Sequence, residues 1–443
     1  MNARIDTAVA APLSCGQERL WFLSRLAPRS TAYLLAARFQ VLGPLDPGLL
    51  GDAVSEVMLR HHVLATAFAT RAGRPVQIVT DPCASPFRVV DLSHLGERER
   101  EQEWERLSRD EATRPYDLAT APLFRFTVAR MEERRHRLCV SMHHIVSDKA
   151  SIDIMLREIA EIYRARLRGE RARLDPPPLQ YADFARRQRE WLAGSECVEQ
   201  MAYWRDRLAG APARMPLGGA RPPAGDGRGP ATGEPLALAR DTQAGLREFA
   251  ERERVSTFMV LLSAYALALG RCHDLSDIII ACPVTNRPTL DTQRLVGFFV
   301  NTLPIRITLR PGMSFRQLTA QVRATVFGAL EHQDLPFDRI VSALRPARRP
   351  GEPPFFQAVL NFVAHDDARL GLPGLEVAEL PGHRMAARAE LALDVEENRR
   401  AGSLTGNLLY DPGVREPGAM ARLMASLRTV LETALTSPDR PVG

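Results

Sequence analysis

Lysine is all but missing from this sequence: Lys149 is the single example in 443 residues, against 57 arginines. The formal charge is only +5 and the arginines are dispersed, so there is no basic stripe of the kind that tracks a nucleic-acid backbone. A mild positive balance still suits an acidic carrier protein. Cysteine is sparse too. Cys15, Cys83, Cys139, Cys197, Cys272 and Cys282 include no CxxC pair. That scatter excludes a disulfide framework and a thiolate zinc site, and it fits a reducing cytoplasm. No apolar run approaches the roughly 18 residues of a membrane span, and the opening MNARIDTAVAAPLS lacks the apolar stretch of a secretory signal. There is no GxSxG elbow and no P-loop, which leaves serine hydrolysis and nucleotide hydrolysis without support. The GDGRG of residues 225–229 has neither a lysine nor a strand–helix setting, so it does not read as a phosphate loop. No short internal repeat is evident.

The composition itself, 45% hydrophobic and 25% charged, is that of a globular enzyme, and the length favours two domains or lobes over one core. Residues 123–131 alternate, with Phe124, Phe126 and Val128 on one face. A second strand over 137–144 puts Leu138, Val140, Met142 and His144 on one face, and Ser151 is a candidate N-cap for the helix that follows. In that helix Ile152, Met155, Leu156, Ile159, Ile162 and Tyr163 recur at helical spacing. Residues 209–233 are rich in Pro, Gly and Ala and read as a linker or long surface loop. Beyond it, Ser256 is placed to cap an apolar helix, DIIIA (277–281) reads as a buried strand, and alternation returns over 303–309 and 356–362. These patterns predict an α/β (α+β) chain. Its parts would be an N-terminal lobe over 1–190, a connecting helix and linker over 191–233, and a C-terminal lobe over 234–436, with a site between the lobes.

The chemistry concentrates in His143-His144-Ile145-Val146-Ser147-Asp148, where a strand runs into a polar turn and then a helix. Neighbouring strand residues face opposite ways, so one imidazole faces a cavity while the other packs inside. The same geometry makes it awkward for both rings to hold one metal, and no nearby pattern completes a zinc site. An imidazole handles protons near neutral pH, as when an amine or alcohol attacks a thioester. Asp148 is placed to orient that machinery or to hold the turn by pairing with an arginine. Read alone, an HH pair at a strand end is more often structural.

HHIVSDKAS resembles the HHxxxDG signature of the condensation domains of nonribosomal peptide synthetases, and further blocks resemble that family in its own order. LSCGQERLWFL (13–23) is similar to SxAQxRLWxL, RHHVLATAF (60–68) to RHxxLRTxF, and YADFARRQREWL (181–192) to YxDFAxWQ. VGFFVNTLPIR (296–306) and HQDLPFDRIV (332–341) match two more motifs, so the resemblance spans the chain. It implies two chloramphenicol acetyltransferase-like lobes in a V, with a central tunnel that admits two phosphopantetheine arms. One arm brings a donor acyl thioester and the other an acceptor amine; no cofactor is bound permanently and no metal is implied. By the same resemblance His144 is the catalytic histidine and His143 and Asp148 are structural. Arg287 pairs with Asp148 across the lobes, and Asn301 lies near the tunnel. The histidine's job stays open between general base and positioning of the reacting groups. Upstream and downstream peptidyl carrier proteins, an adjacent adenylation domain and a monomeric state are the implied partners. SPDRPVG (437–443) resembles the start of a linker to such a domain. His143 speaks against the heterocyclization subtype, and the opening motif favours joining two L-configured partners.

Lys149, Ala65 and Glu390 each depart from the family pattern. Lys149 stands where the signature has glycine, a residue that permits unusual backbone or a close substrate approach. Lysine there either reaches solvent or a neighbouring carboxylate, or serves as an extra acid/base group, as a dehydrating subtype would want. Ala65 replaces an arginine, and Glu390 replaces a common aspartate. Lys149, Ser151 and Asn301 are the candidates for a substrate-contacting or modifying role, while Trp21, Phe184 and Trp191 read as packing. Amide synthesis leads. The alternatives are tailoring of the acyl chain by dehydration or epimerization, a coenzyme A-dependent O- or N-acyltransferase, and a silent docking platform for modifying enzymes.

Overall fold

The computed structural model describes residues 10–28, 30–31, 33–80, 85–217, 231–346, 354–365, 370–382 and 389–442, so Cys83 and the GDGRG segment lie outside the described residues. The chain is mixed α/β, as its patterning predicts. It divides into two compact units that do not follow the chain in two simple halves. The first gathers Met1–Gly194, Thr285–Val300 and Ala368–His383. The second holds Ser195–Val284, Asn301–Asp367 and Arg384–Gly443.

The first unit is built on a five-stranded sheet in the order Glu376–Leu380, Leu34–Leu42, Arg135–His143, Phe124–Glu132, Phe87–Asp91. Its centre is the antiparallel hairpin that sets Phe124 opposite Met142. Phe124, Phe126 and Val128 are buried on one face, as alternation predicts, but Thr127 and Ala129 on the other face are buried too. The cause is the helix Glu97–Thr113, whose Trp104 and Leu107 cover that side against Ala129, Met131 and Cys139. The opposite face packs on the helices Pro47–Arg60 and Lys149–Leu167. Ile152, Met155, Leu156, Ile159, Ile162 and Tyr163 all enter this core, each apolar side chain contributing about 1.5–3 kcal/mol.

Two local expectations are corrected here. The strand ends at His143, and His144 opens a short 3-10 turn, His144–Val146, because the His143 ring accepts the Ile145 N–H and curls the chain. Ser151 is not the N-cap. Asp148 is, accepting from the Ser151 N–H, and a carboxylate suits a helix N-terminus better than a hydroxyl.

The second unit carries a six-stranded sheet in the order Asn301–Thr308, Asp277–Val284, Ala358–His365, Leu391–Asn398, Ser403–Tyr410, Thr232–Pro235. Ala358–His365 is parallel to both of its neighbours. In the neighbouring strand Asp277–Val284, Ile278, Ile279 and Ile280 are fully buried, which explains their unbroken apolar run. Ser256 caps the helix Thr257–His273, accepting from the Met259 N–H, and that helix is buried from Met259 through Gly270. The described part of the Pro/Gly-rich stretch is not loose. Met215 and Leu217 are buried, and the Met215 N–H donates to Gln357. Irregular backbone held by packing has no period for a sequence pattern to reveal. The C-terminal SPDRPV is likewise fastened, Asp439 to Arg316 at 2.8 Å and the Val442 N–H to the Met313 carbonyl. Among the described residues no single helix is long and apolar enough to cross a membrane.

Candidate active site

His144 is held by its place in the chain and by its own ring. Its N–H donates to the Tyr33 carbonyl at 2.8 Å, fixing the turn to the neighbouring strand. Gln17, buried within a capping box with Ser14, donates to the Ile145 carbonyl at 3.2 Å. Nδ1 of His144 lies 3.1 Å from the Ser147 carbonyl oxygen, which can only accept, so Nδ1 carries the ring proton. The basic lone pair is thereby assigned to Nε2. The ring is half-buried and meets Phe298 edge to face, with centroids 5.5 Å apart.

His143 is a different residue in every respect. It is buried, its Nδ1 accepts the Ile145 N–H at 3.0 Å, and its ring lies edge-on to Tyr116. Burial pushes its pKa down to about 4, so the ring is neutral at pH 7. The same Tyr116 hydroxyl bonds Ser141, and burial raises its pKa well above the usual tyrosine range.

Four residues after His144, Asp148 centres a buried polar hub. Asp148 Oδ1 accepts from the Ser151 N–H, the Ser151 hydroxyl and Arg287, while Oδ2 accepts from the Phe299 N–H and from Arg287. The Asp148–Arg287 pair is 2.9 Å long with side chains 1% and 5% exposed. Arg287 also donates to the Thr292 and Leu295 carbonyls and lies over the Phe299 ring at 4.1 Å. Although 139 residues separate the two partners in sequence, both belong to the first unit. The pair therefore lies within that unit, although its two residues come from the two halves of the chain. Ser151 Oγ lies within 3.0 Å of Asp148, Arg287 and both polar atoms of Gly297. With its one proton shared between Asp148 and the Gly297 carbonyl and its lone pairs facing Arg287 and the Gly297 N–H, that hydroxyl is fully occupied inside the protein.

Lys149 adjoins this hub in sequence, whereas Asn301 belongs to the other unit. Lys149 is the first residue of the helix Lys149–Leu167, half-buried, and its φ is not positive. The conformational reason for glycine at this position is therefore absent here. Asn301 belongs to the second unit, where its amide donates to the Gln333 and Leu335 carbonyls and accepts from the Phe337 and Thr302 N–H groups. All four of its bonding positions are used on backbone. Glu390 is buried in the same unit against Arg415, with Arg214 3.0 Å away. Ala65 is buried in the core of the first unit. Phe184 stacks among Tyr181 and Phe299, and Trp21 packs on the core, as expected of both.

Sequence reading missed Phe298, Tyr181 and Gly297. The Tyr181 hydroxyl donates to the Phe298 carbonyl at 2.5 Å and bonds Ser14. A Cβ on Gly297 would fall 1.9 Å from the Tyr181 ring. The glycine in VGFF was the available signal, since it marks a close approach that a side chain forbids.

Residues 8–443 match the family model described as Condensation domain. A chondramide synthase from Chondromyces crocatus is 36% identical over 433 residues, a match covering 98% of this chain and 11% of that protein. The chain thus spans about a tenth of the length of that relative. In the complex of the X-domain and OxyB from teicoplanin biosynthesis, a chain superposes with TM-score 0.85 at 26% identity, covering 98% of this chain and 95% of that one. The first condensation domain of the calcium-dependent antibiotic synthetase, bound to a substrate analogue, superposes with TM-score 0.81 at 21% identity, covering 98% of both chains. At that identity the likeness is one of fold.

Proposed function

The chain belongs to the condensation-domain family, with the mixed, chloramphenicol acetyltransferase-like fold of those domains, and we propose that it joins a carrier-bound acyl thioester to a carrier-bound amine. The observation that carries this reading is the 3.1 Å contact between His144 Nδ1 and the Ser147 carbonyl oxygen. With Nδ1–H held on the Ser147 carbonyl, Nε2 is the ring's acceptor. In the proposed step the acceptor nitrogen attacks the thioester carbonyl carbon. A C–N bond forms, and the C–S bond then breaks to release the pantetheine thiolate. Nε2 takes the proton that nitrogen loses and passes it to the thiolate sulfur, which leaves as a thiol. Base catalysis of this kind supplies about 10²- to 10⁴-fold, and alignment of the two arms supplies most of the remainder. Both phosphopantetheine arms are substrates; an upstream donor carrier and a downstream acceptor carrier deliver them. Asp148, Arg287 and Ser151 serve by fixing the turn, and His143 by staying neutral beneath it.

The test mixes the domain with a donor-loaded and an acceptor-loaded carrier protein and follows both by intact-protein mass spectrometry. Transfer of the donor mass to the acceptor, reduced by at least about 100-fold in His144→Ala, is the expected result. Transfer that survives in the variant overturns the assignment of His144. A further loss of one water identifies the dehydrating reading of Lys149. The likeness to the X-domain solved with OxyB supports a second reading, a docking platform for a modifying enzyme. Binding of both carriers with no transfer from any pair would favour it.

A further inference from the structure

A glycine of the opening motif lies against the aromatic ring that meets His144. Gly16 stands where SxAQxRLWxL has alanine, in the helix Cys15–Leu26. A Cβ there would come within 2.8 Å of both Cδ1 and Cε1 of Phe298, closer than side chains pack. That same buried Phe298 ring meets the His144 imidazole edge to face. We propose that Gly16 and Phe298 together set the size of the group accepted beside His144, the missing methyl being what lets the ring seat against the helix.

The proposal turns on what can yield. The backbone under the ring is held at three successive residues. Gly297 is bonded through both its N–H and its carbonyl to Ser151, the Phe298 carbonyl accepts from Tyr181, and the Phe299 N–H donates to Asp148. Tyr181 in turn fills the space over Gly297 and cannot retreat, since its hydroxyl also bonds Ser14. A methyl at position 16 therefore displaces the ring about its own torsions and alters its seat on the imidazole. The seat of the ring on the imidazole is thus set jointly by the glycine and by the anchored backbone beneath it. Phe298 is a specificity-determining residue here, not a catalytic one.

This inference rests on the reading of His144 as the reaction centre, and the experiment separates the two. A donor carrier is charged in turn with glycyl, leucyl and tryptophanyl groups and paired with a glycyl acceptor carrier, using the wild type, Gly16→Ala, Phe298→Leu and the double variant. Gly16→Ala should lower the tryptophanyl-to-glycyl rate ratio by about tenfold, the usual effect of one methyl-sized change in an apolar pocket. The double variant should restore that ratio, because leucine vacates the space the methyl needs. A uniform loss for all three groups, or no restoration, overturns the proposal while leaving His144→Ala to judge the parent reading. The His144 ring resonances in a ¹H–¹³C spectrum give a readout independent of turnover. They should move in Gly16→Ala and return in the double variant, and unmoved resonances also overturn it.

Discussion

Replacing Arg287 by glutamine tests the buried hub most severely. The substitution removes the partner of a carboxylate that is 1% exposed and also strips the donors to the Thr292 and Leu295 carbonyls. Breaking a buried pair from one side costs about 3–5 kcal/mol, because the remaining charge is left without compensation. The Asp148 carboxylate keeps three bonds without Arg287, from the Ser151 N–H, the Ser151 hydroxyl and the Phe299 N–H. Those bonds set the loss at the lower end, about 3 kcal/mol. Adding Asp148→Asn to Arg287→Gln removes the stranded charge yet keeps a good N-cap, so the double variant should recover about 1–2 kcal/mol. Urea unfolding followed by circular dichroism, with the two single variants and the double variant, measures both quantities. A loss under about 1 kcal/mol for Arg287→Gln, the range of an exposed pair, would refute the reasoning. So would a double variant no more stable than the sum of its parts.

Further outcomes follow from individual side chains. His143 is held to a pKa of about 4 by burial, below its unfolded value of about 6.5. The unfolded chain therefore binds the extra proton first as pH falls, and stability is lost from about pH 6.5 down to 4 at up to ~1.4 kcal/mol per pH unit. His143→Gln should flatten that part of the profile relative to wild type in matched urea titrations. Asn301→Ala frees two buried carbonyls and two N–H groups and should cost about 2–4 kcal/mol, with the turnover of the folded fraction unchanged. A selective fall in turnover would instead give Asn301 a substrate contact. Lys149→Gly puts a flexible residue at a helix start, at a cost of about 1 kcal/mol or less. Thermal unfolding should barely move, and product masses and rates should stay as in wild type; a changed product mass would assign the lysine a chemical role.

What the sequence made legible depended on whether a residue's task was local. The HHIVSD segment could be recognised because strand, turn and helix follow one another within it, and Ser256 could be read as a cap because its partner is three residues away. Asp148 and Arg287 could be paired only through resemblance, since no periodicity links residues that far apart. The fate of Ser151 was hidden for a related reason. An N-cap and an N3 residue differ by the backbone angles of one turn, and Asp148 won the cap by its charge. The hairpin face of Thr127 and Ala129 escaped the alternation rule because a helix covers it. Phe298 read as one more apolar residue of VGFFVN, and nothing in its own neighbourhood announces an imidazole 154 positions earlier in the chain.

The first unit is assembled from three stretches of chain, the last of them ending at residue 383. On a ribosome this gives the turn at His144 a long adolescence. Asp148 emerges 139 residues before the guanidinium that neutralises it, and the strand Leu34–Leu42 waits for its edge partner Glu376–Leu380 until most of the chain has been made. Loop closures of that span are slow and leave apolar faces uncovered meanwhile. A fragment cut after residue 194 would carry both histidines and the whole signature, yet it would lack the buried arginine, the Phe298 wall and a sheet edge. The shortest stretch of this chain that holds all of these groups therefore runs from the strand Leu34–Leu42 to the strand Glu376–Leu380.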